Sequence, residues 1–269
     1  DKNDSVKLQM GLDNLVEWCH DWGMQLHPEK CVVMHFGPKN PSHDYYIDGK
    51  KIQSKKVARD LGVYVSVTGE STAHVEKITK KAQGVLAQIW RAIIVRDHST
   101  VTTMYRSFIR PLVEFAAPVW SPHKRGDIED LEKVQRRCLR MIVDLGGKSY
   151  EEKLTELGLQ SLEDRHQRCD AIETFKYING FNDIDPNTIF SFVRDRHDRD
   201  TRSSEDNNLV PEKTHLNIRK FFFANRATWI WNDLPCFVKE AASVNAFKNA
   251  YDAALNYKLY NENNESWSS

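Results

Sequence analysis

The chain has 269 residues, 38 Lys and Arg against 38 Asp and Glu, and a 40% hydrophobic content that is enough for a sizeable core. Charges interrupt every apolar run, so there is no stretch of about 18 uncharged apolar residues to cross a membrane and no basic-then-apolar leader; no membrane partner is expected. The zero net charge hides a basic middle: residues 71–148 carry 14 Lys and Arg against eight Asp and Glu, which points to a polyanion as the partner of that segment.

The first residue is Asp1 and an amphipathic helix is under way by Val6, so a piece of a longer chain is expected. Val6, Leu8, Leu12, Leu15, Val16 and Cys19 recur at helical spacing, with Trp22 extending the stripe and Gly23 as the stop. "HPEK" turns the chain, and "KCVVMHF" reads as a strand ended by "GPKNP". "YYIDGKKI" reads as a hairpin about Asp48-Gly49; "ARDLGVYVS" alternates Leu61, Val63 and Val65 with Gly62 and Tyr64. These segments predict a helix and a small antiparallel sheet over residues 1–70.

From Thr72 the period becomes 3.6. Val75, Ile78, Ala82, Val85, Leu86, Ile89, Trp90 and Ile93 make an apolar face, with Lys77, Lys80, Lys81 and Arg91 mostly off it. A second helix is predicted over residues 100–115, kinked at Pro111, and a third behind Asp127 as N-cap, ending at "LGGKS". Ile128, Leu131, Val134, Cys138, Met141 and Ile142 face inward there, while Lys133, Arg136, Arg137 and Arg140 form one basic flank. Residues 71–148 thus read as a basic helical region.

Residues 149–269 read as a further helical region. "SYEEKLTELGL" and "SLEDRHQRCDAIETFKYING" predict a short and a longer helix, the second stopped by Asn179-Gly180. Residues 194–214, with two apolar residues, predict a mobile loop. "NIRKFFFANRATWIWNDLP" predicts one aromatic helix and "SVNAFKNAYDAALNYKL" a last one, followed by a polar tail. The expected class is α+β, mainly α.

Cys19, His20, His27, Cys31 and His35 crowd into one short stretch, yet neighbours two apart on a strand cannot close on one ion, and no CxxC or HxxxH half-site accompanies them. No metal is expected there. The five cysteines lack paired spacing, which suits a reducing, intracellular setting, nuclear or cytoplasmic. Phe221, Phe222, Phe223, Trp229 and Trp231 suit base stacking or core, and three consecutive phenylalanines cannot share one helix face.

The order of segments carries more. "LDNLVEWCHDWGMQLHPEKCVVMHFG", "YYIDGKKI", "ARDLGVYVS", "HVEKITKKAQGVL", "MYRSFIRPLVEFAAPVWSPHKRGDIEDLEKVQRRCLRMI" and "IRKFFFANRATWIWNDLP", in this order, resemble the second half of reverse transcriptases of non-LTR, LINE-type retrotransposons, in particular the jockey- and CR1-like elements. The resemblance spans nearly the whole chain and implies distal palm (1–70), thumb (71–148) and C-terminal region (149–269) of an RNA-directed DNA polymerase.

It also implies roles. "LHPEKCVVM" resembles the motif that follows the catalytic loop, with Lys30 and Met34 matching and Leu26 and His27 standing where the family has Phe and Asn; Lys30 would be an accessory group near the incoming triphosphate. Asp60, Leu61, Gly62, Val63 and Tyr64 would belong to a primer grip. Lys77, Lys80, Lys81, Lys133, Arg136, Arg137 and Arg140 would contact phosphates of RNA or an RNA/DNA hybrid, though on spacing alone they equally fit the wet faces of amphipathic helices. The family's metal-binding aspartates have no counterpart here, and no Asp-Asp pair occurs. This chain is therefore expected to be inactive by itself and to bind no cofactor, Mg²⁺ belonging to the intact parent with its upstream palm and fingers. A relic or co-opted protein-interaction module without nucleic-acid binding is the alternative.

Overall fold

In the computed structural model, which describes residues 2–37, 39–193 and 208–265 and the side chains of residues 3–256 within them, the opening stripe becomes α1, Lys2–Asp21. It starts four residues before Val6 and ends as expected: Gly23 takes the left-handed conformation (φ +63°), and the Met24 amide donates to the Cys19 carbonyl at 2.8 Å. Of the stripe only Cys19 is buried. The Gln9 amide fixes α1 to β2 (Tyr46–Ile47), donating to the Tyr46 carbonyl at 2.9 Å and accepting from its N–H at 3.0 Å.

The predicted single antiparallel sheet does not form. The "KCVVMHF" strand contracts to β1, Val32–Val33, after a 3₁₀ turn at Pro28–Lys30, and β1 pairs in parallel with β4, Gln53–Ser54. β2 pairs antiparallel with β3, Lys50–Lys51, about Asp48 (φ +50°) and Gly49 (φ +69°), the turn expected of Asp-Gly. β5, Val57–Asp60, and β6, Val63–Ser66, form a third two-stranded ladder. Its turn is Leu61-Gly62 (φ +43° and +96°), so Leu61 is a hairpin tip, 92% exposed, and not an inward strand position. Strands of two to four residues, interrupted by Gly37 and Pro41, are too short to assemble one sheet.

The chain divides into two compact units, Asp1–Val75 and Glu76–Ser269, and the segments expected at 71–148 and 149–269 both fall almost wholly in the second. α2, Thr72–Ala92, buries Val75, Ile78, Ala82 and Leu86. The second predicted helix starts two residues early at α3, His98–Met104, because the Asp97 carboxylate accepts from the Thr100 N–H at 2.7 Å. Instead of a simple kink at Pro111, the helix widens into a π turn over Tyr105–Ile109 before α4, Arg110–Glu114. A proline can neither donate to the preceding turn nor avoid its carbonyl, and the wider turn absorbs both misfits. α5, Ala117–Trp120, follows after Ala116, which is left-handed at φ +52°.

α6 spans Arg125–Leu139. Asp127 is not its N-cap: Lys124 precedes the helix, and Asp127 is buried in the first turn, where a carboxylate meets the positive end of the helix dipole. α6 also stops short of "LGGKS". α7, Tyr150–Leu157, opens on a capping box between Ser149 and Glu152 and closes at Gly158 (φ +57°). α8, Leu162–Ile178, is capped by Ser161 and ended by Asn179-Gly180 as expected.

Of the predicted mobile loop, residues 194–207 lie outside the described residues, and the remainder is anchored at Leu209. Leu209 is buried, bridges to Phe192, and both its N–H and carbonyl are bonded by the Asn232 side chain at 2.9 and 2.8 Å. The predicted aromatic helix is two helices, α9 (Asn217–Lys220) and α10 (Phe223–Asn232), because side chains of α10 take the carbonyls that the break frees. Asn225 donates to the Arg219 carbonyl at 2.9 Å and Arg226 to that of Phe221 at 3.0 Å. α11, Cys236–Lys239, leads to α12, Val244–Glu265, which continues through residues expected to be a polar tail. Phe175, Trp231 and Phe247 stack at the centre of this C-terminal core. The protein is thus α+β and mainly α, and no described helix is long and apolar enough to cross a membrane.

Candidate nucleic-acid interface

The inward positions of α6, Leu131, Val134 and Cys138, fix the direction of its other residues. Arg137 and Arg140 follow Val134 at intervals of three and emerge exposed at the end of the helix. Arg91 sits in the last turn of α2. Together these three arginines line a cavity of about 430 Å³ whose remaining walls are Leu86, Ala87, Trp90 and Met141. Each comes from the last turn or C-cap of its helix, where backbone carbonyls carry partial negative charge and favour a cation by about 0.3–1 kcal/mol. None of the three has an ion-pair or hydrogen-bonded partner among the described residues. Convergent cations left without carboxylates, over an apolar floor, form an anion-binding arrangement.

Arg96 packs on Trp90, one of the lining residues. Its guanidinium lies 3.7 Å from the centroid of the Trp90 ring and donates to the Trp90 carbonyl at 3.3 Å. Trp90 stays 44% exposed although its spacing places it on the apolar face of α2.

The lysines of α2 extend the charge. At 100° per residue, Lys77, Lys80, Lys81 and Arg91 fall within one stripe of about 100°, and the 14-residue step from Lys77 to Arg91 covers about 21 Å. All three lysines are exposed, with no ionic partner among the described residues. The row is long enough to follow several backbone phosphates.

The other half of the predicted basic flank is engaged locally. Lys133 donates to Asp130 at 2.8 Å, and Arg136 is hydrogen-bonded to Glu129 and lies 4.8 Å from the Tyr150 ring centroid. These hydrogen bonds hold both cations above their ordinary pKa. Arg91 belongs to the site but not to the predicted set; its recurrence three helical turns after Lys80 was the available signal.

The remaining predicted residues lie in the first unit. Lys30 ends the 3₁₀ turn and is exposed. Asp60, Leu61, Gly62, Val63 and Tyr64 do form a hairpin, with Val63 buried and the Tyr64 N–H donating to His74 Nδ1 at 3.1 Å. Burial pushes the His74 imidazole down to about 4, so it is neutral at pH 7 and free to accept that bond. Among the described residues no group of three or more His, Cys, Asp or Glu side chains is placed to hold a metal ion. Burial raises the thiols of the core residue Cys138 and the half-buried Cys169, to about 12 and about 11, which disfavours a thiolate at both. No family model, curated protein or solved structure matches this chain.

Proposed function

We propose that the chain is the distal palm, thumb and C-terminal region of a LINE-type, jockey/CR1-like reverse transcriptase, and that it binds RNA or an RNA/DNA hybrid through α2 and the end of α6. The observation that carries the binding half of this reading is the convergence of Arg91, Arg137 and Arg140, unpaired among the described residues, beside the Lys77, Lys80 and Lys81 row. The order of the sequence segments supports the family. Contacts of this kind go to phosphates and read no bases. Lys30 and the Asp60–Tyr64 hairpin are, on this reading, an accessory group and a primer grip that act only with the upstream palm and fingers, which supply the acidic residues for Mg²⁺. The setting is intracellular, nuclear or cytoplasmic.

Fluorescence anisotropy with a labelled RNA/DNA hybrid tests the binding. Reversal of Arg91, Arg137 or Arg140 to Glu is expected to weaken it about fivefold or more each, alike for unrelated sequences, and Lys133→Glu less. Binding indifferent to these reversals, or absent, refutes the interface and favours the protein-interaction alternative, for which the exposed Val6, Leu8, Met10 and Trp18 of α1, with Trp22 just after it, speak. The purified chain is expected to extend no primer at any Mg²⁺ concentration; extension overturns the assignment of the catalytic half to an upstream segment.

A further inference from the structure

A second cavity, of about 880 Å³, lies between α6, α8, α10 and α12 and shares no lining residue with the arginine cavity. Its volume is in the range of small-molecule sites. Three polar side chains that line it, His166, Asp170 and Tyr251, are more than nine-tenths buried, and two of them keep hydrogen-bonding capacity. His166 bonds through Nε2 to the Val113 carbonyl at 2.9 Å; a carbonyl only accepts, so Nε2 carries the proton and Nδ1 keeps a lone pair. Burial lowers the His166 pKa, which keeps the ring neutral. The Trp120 ring meets the imidazole edge-on at 5.0 Å and fixes its plane. Tyr251, 6% exposed, also lines the cavity. Neither its hydroxyl nor His166 Nδ1 has a hydrogen-bond partner among the described residues, so the cavity offers one acceptor and one donor-acceptor that the fold leaves unused.

The rest of the lining selects the ligand. Trp229 is 61% exposed and offers a ring face for stacking, beside the parallel His123–Phe221 pair at 4.2 Å. Asp170 is paired with Arg226, accepting from its Nε at 2.8 Å and its Nη2 at 3.0 Å, so the two charges offset each other. Over the whole lining, three carboxylates (Glu163, Asp170 and Asp233) face two permanent cations (Lys220 and Arg226), which disfavours a phosphate. A neutral planar ring with donors and acceptors on its edge satisfies every one of these features. The geometry points to a pocket for a single nucleobase, stacked on Trp229 with its edge on His166 Nδ1 and the Tyr251 hydroxyl. The base comes either from a free nucleoside or from an unpaired nucleotide of a strand, and the pocket stands independently of the arginine cluster.

Titration of the full chain with adenosine, guanosine, cytidine and uridine, followed by intrinsic fluorescence and by saturation-transfer NMR, tests this. At least one nucleoside is expected to saturate at about millimolar concentration or below, unaffected by salt because no phosphate is bound. Tyr251→Phe is expected to weaken that affinity about fivefold with thermal stability kept or raised, since the lost hydroxyl has no partner in the fold. Trp229→Ala, at an exposed position, weakens it about tenfold. Arg137→Glu leaves it unchanged, so loss of hybrid binding with nucleoside binding retained counts against the thumb reading alone. An oligonucleotide of the preferred base bound at least tenfold more tightly than the nucleoside assigns the pocket to a strand; equal or weaker binding assigns it to the free nucleoside. The proposal is overturned when no nucleoside saturates, when indole binds as tightly as the best nucleoside, or when both variants bind like the parent chain.

Discussion

Glu132 illustrates how much a single buried carboxylate organises. From α6 it accepts from the N–H groups of Leu162 at 2.6 Å and Glu163 at 3.2 Å and from the Tyr150 hydroxyl, so it caps α8 and anchors α7 at once. Glu132→Ala strands two amide donors and one hydroxyl and is expected to cost about 2–3 kcal/mol, read as a fall in the urea midpoint. A cost below about 1 kcal/mol would show that water replaces the carboxylate. Two histidines set a pH dependence. Burial depresses His74 to about 4 and lowers His166 as well, while in the unfolded chain both titrate near 6.5. Between those values the unfolded state binds more protons than the folded one. Stability is therefore full above about pH 6.5 and is lost on acidification, by about 3 kcal/mol for His74 once pH 4 is reached. Urea midpoints at pH 7.5 and 5 check this, and His74→Gln should flatten the difference; a midpoint that does not move between them counts against buried neutral imidazoles.

At the scale of the element, ends matter more than interiors. Gly158 closes α7 at φ +57°, and a Cβ there meets nothing within 4 Å, so Gly158→Ala isolates backbone strain from crowding. It is expected to cost about 1 kcal/mol, and Gly158→Asn less, because Asn tolerates the left-handed region. Calorimetry of both variants decides; equal costs would locate the effect elsewhere. Some ends were legible from local letters, as Asn179-Gly180 and Asp48-Gly49 are, while Asp127, expected as an N-cap, lies inside the first turn of α6. Ends were illegible where a distant group intervenes. "NIRKFFFANRATWIWNDLP" has unbroken helical propensity, and it breaks at Phe221 and Phe222 because Asn225 and Arg226 capture the freed carbonyls and Arg226 is held by Asp170 of α8. Periodicity carries no record of that pairing.

Across the whole molecule, zero net charge coexists with a basic stretch at 71–148. Six cations, Lys77, Lys80, Lys81, Arg91, Arg137 and Arg140, are exposed without ionic partners among the described residues. If all six meet phosphates, the logarithm of affinity should fall against the logarithm of salt with a slope of about −4 to −5. A slope of about −2 to −3 would mean that the arginine cavity alone is engaged, and one near −1 that not even the whole of it is.

The sequence by itself determined the mainly helical class, the positions of most helices and of two tight turns, and the location of excess positive charge, because each follows from period, capping and composition within a few residues. Only the tertiary structure decided which cations are spent on neighbouring carboxylates, as Lys133 and Arg136 are, and which are left to converge, as Arg91, Arg137 and Arg140 do. It alone brought His166 and Tyr251, 85 positions apart, to one cavity, each with one polar atom, Nδ1 and the hydroxyl, unused among the described residues. The reason is that charge and hydrogen-bonding capacity are properties of residues, while their satisfaction depends on which helices pack together.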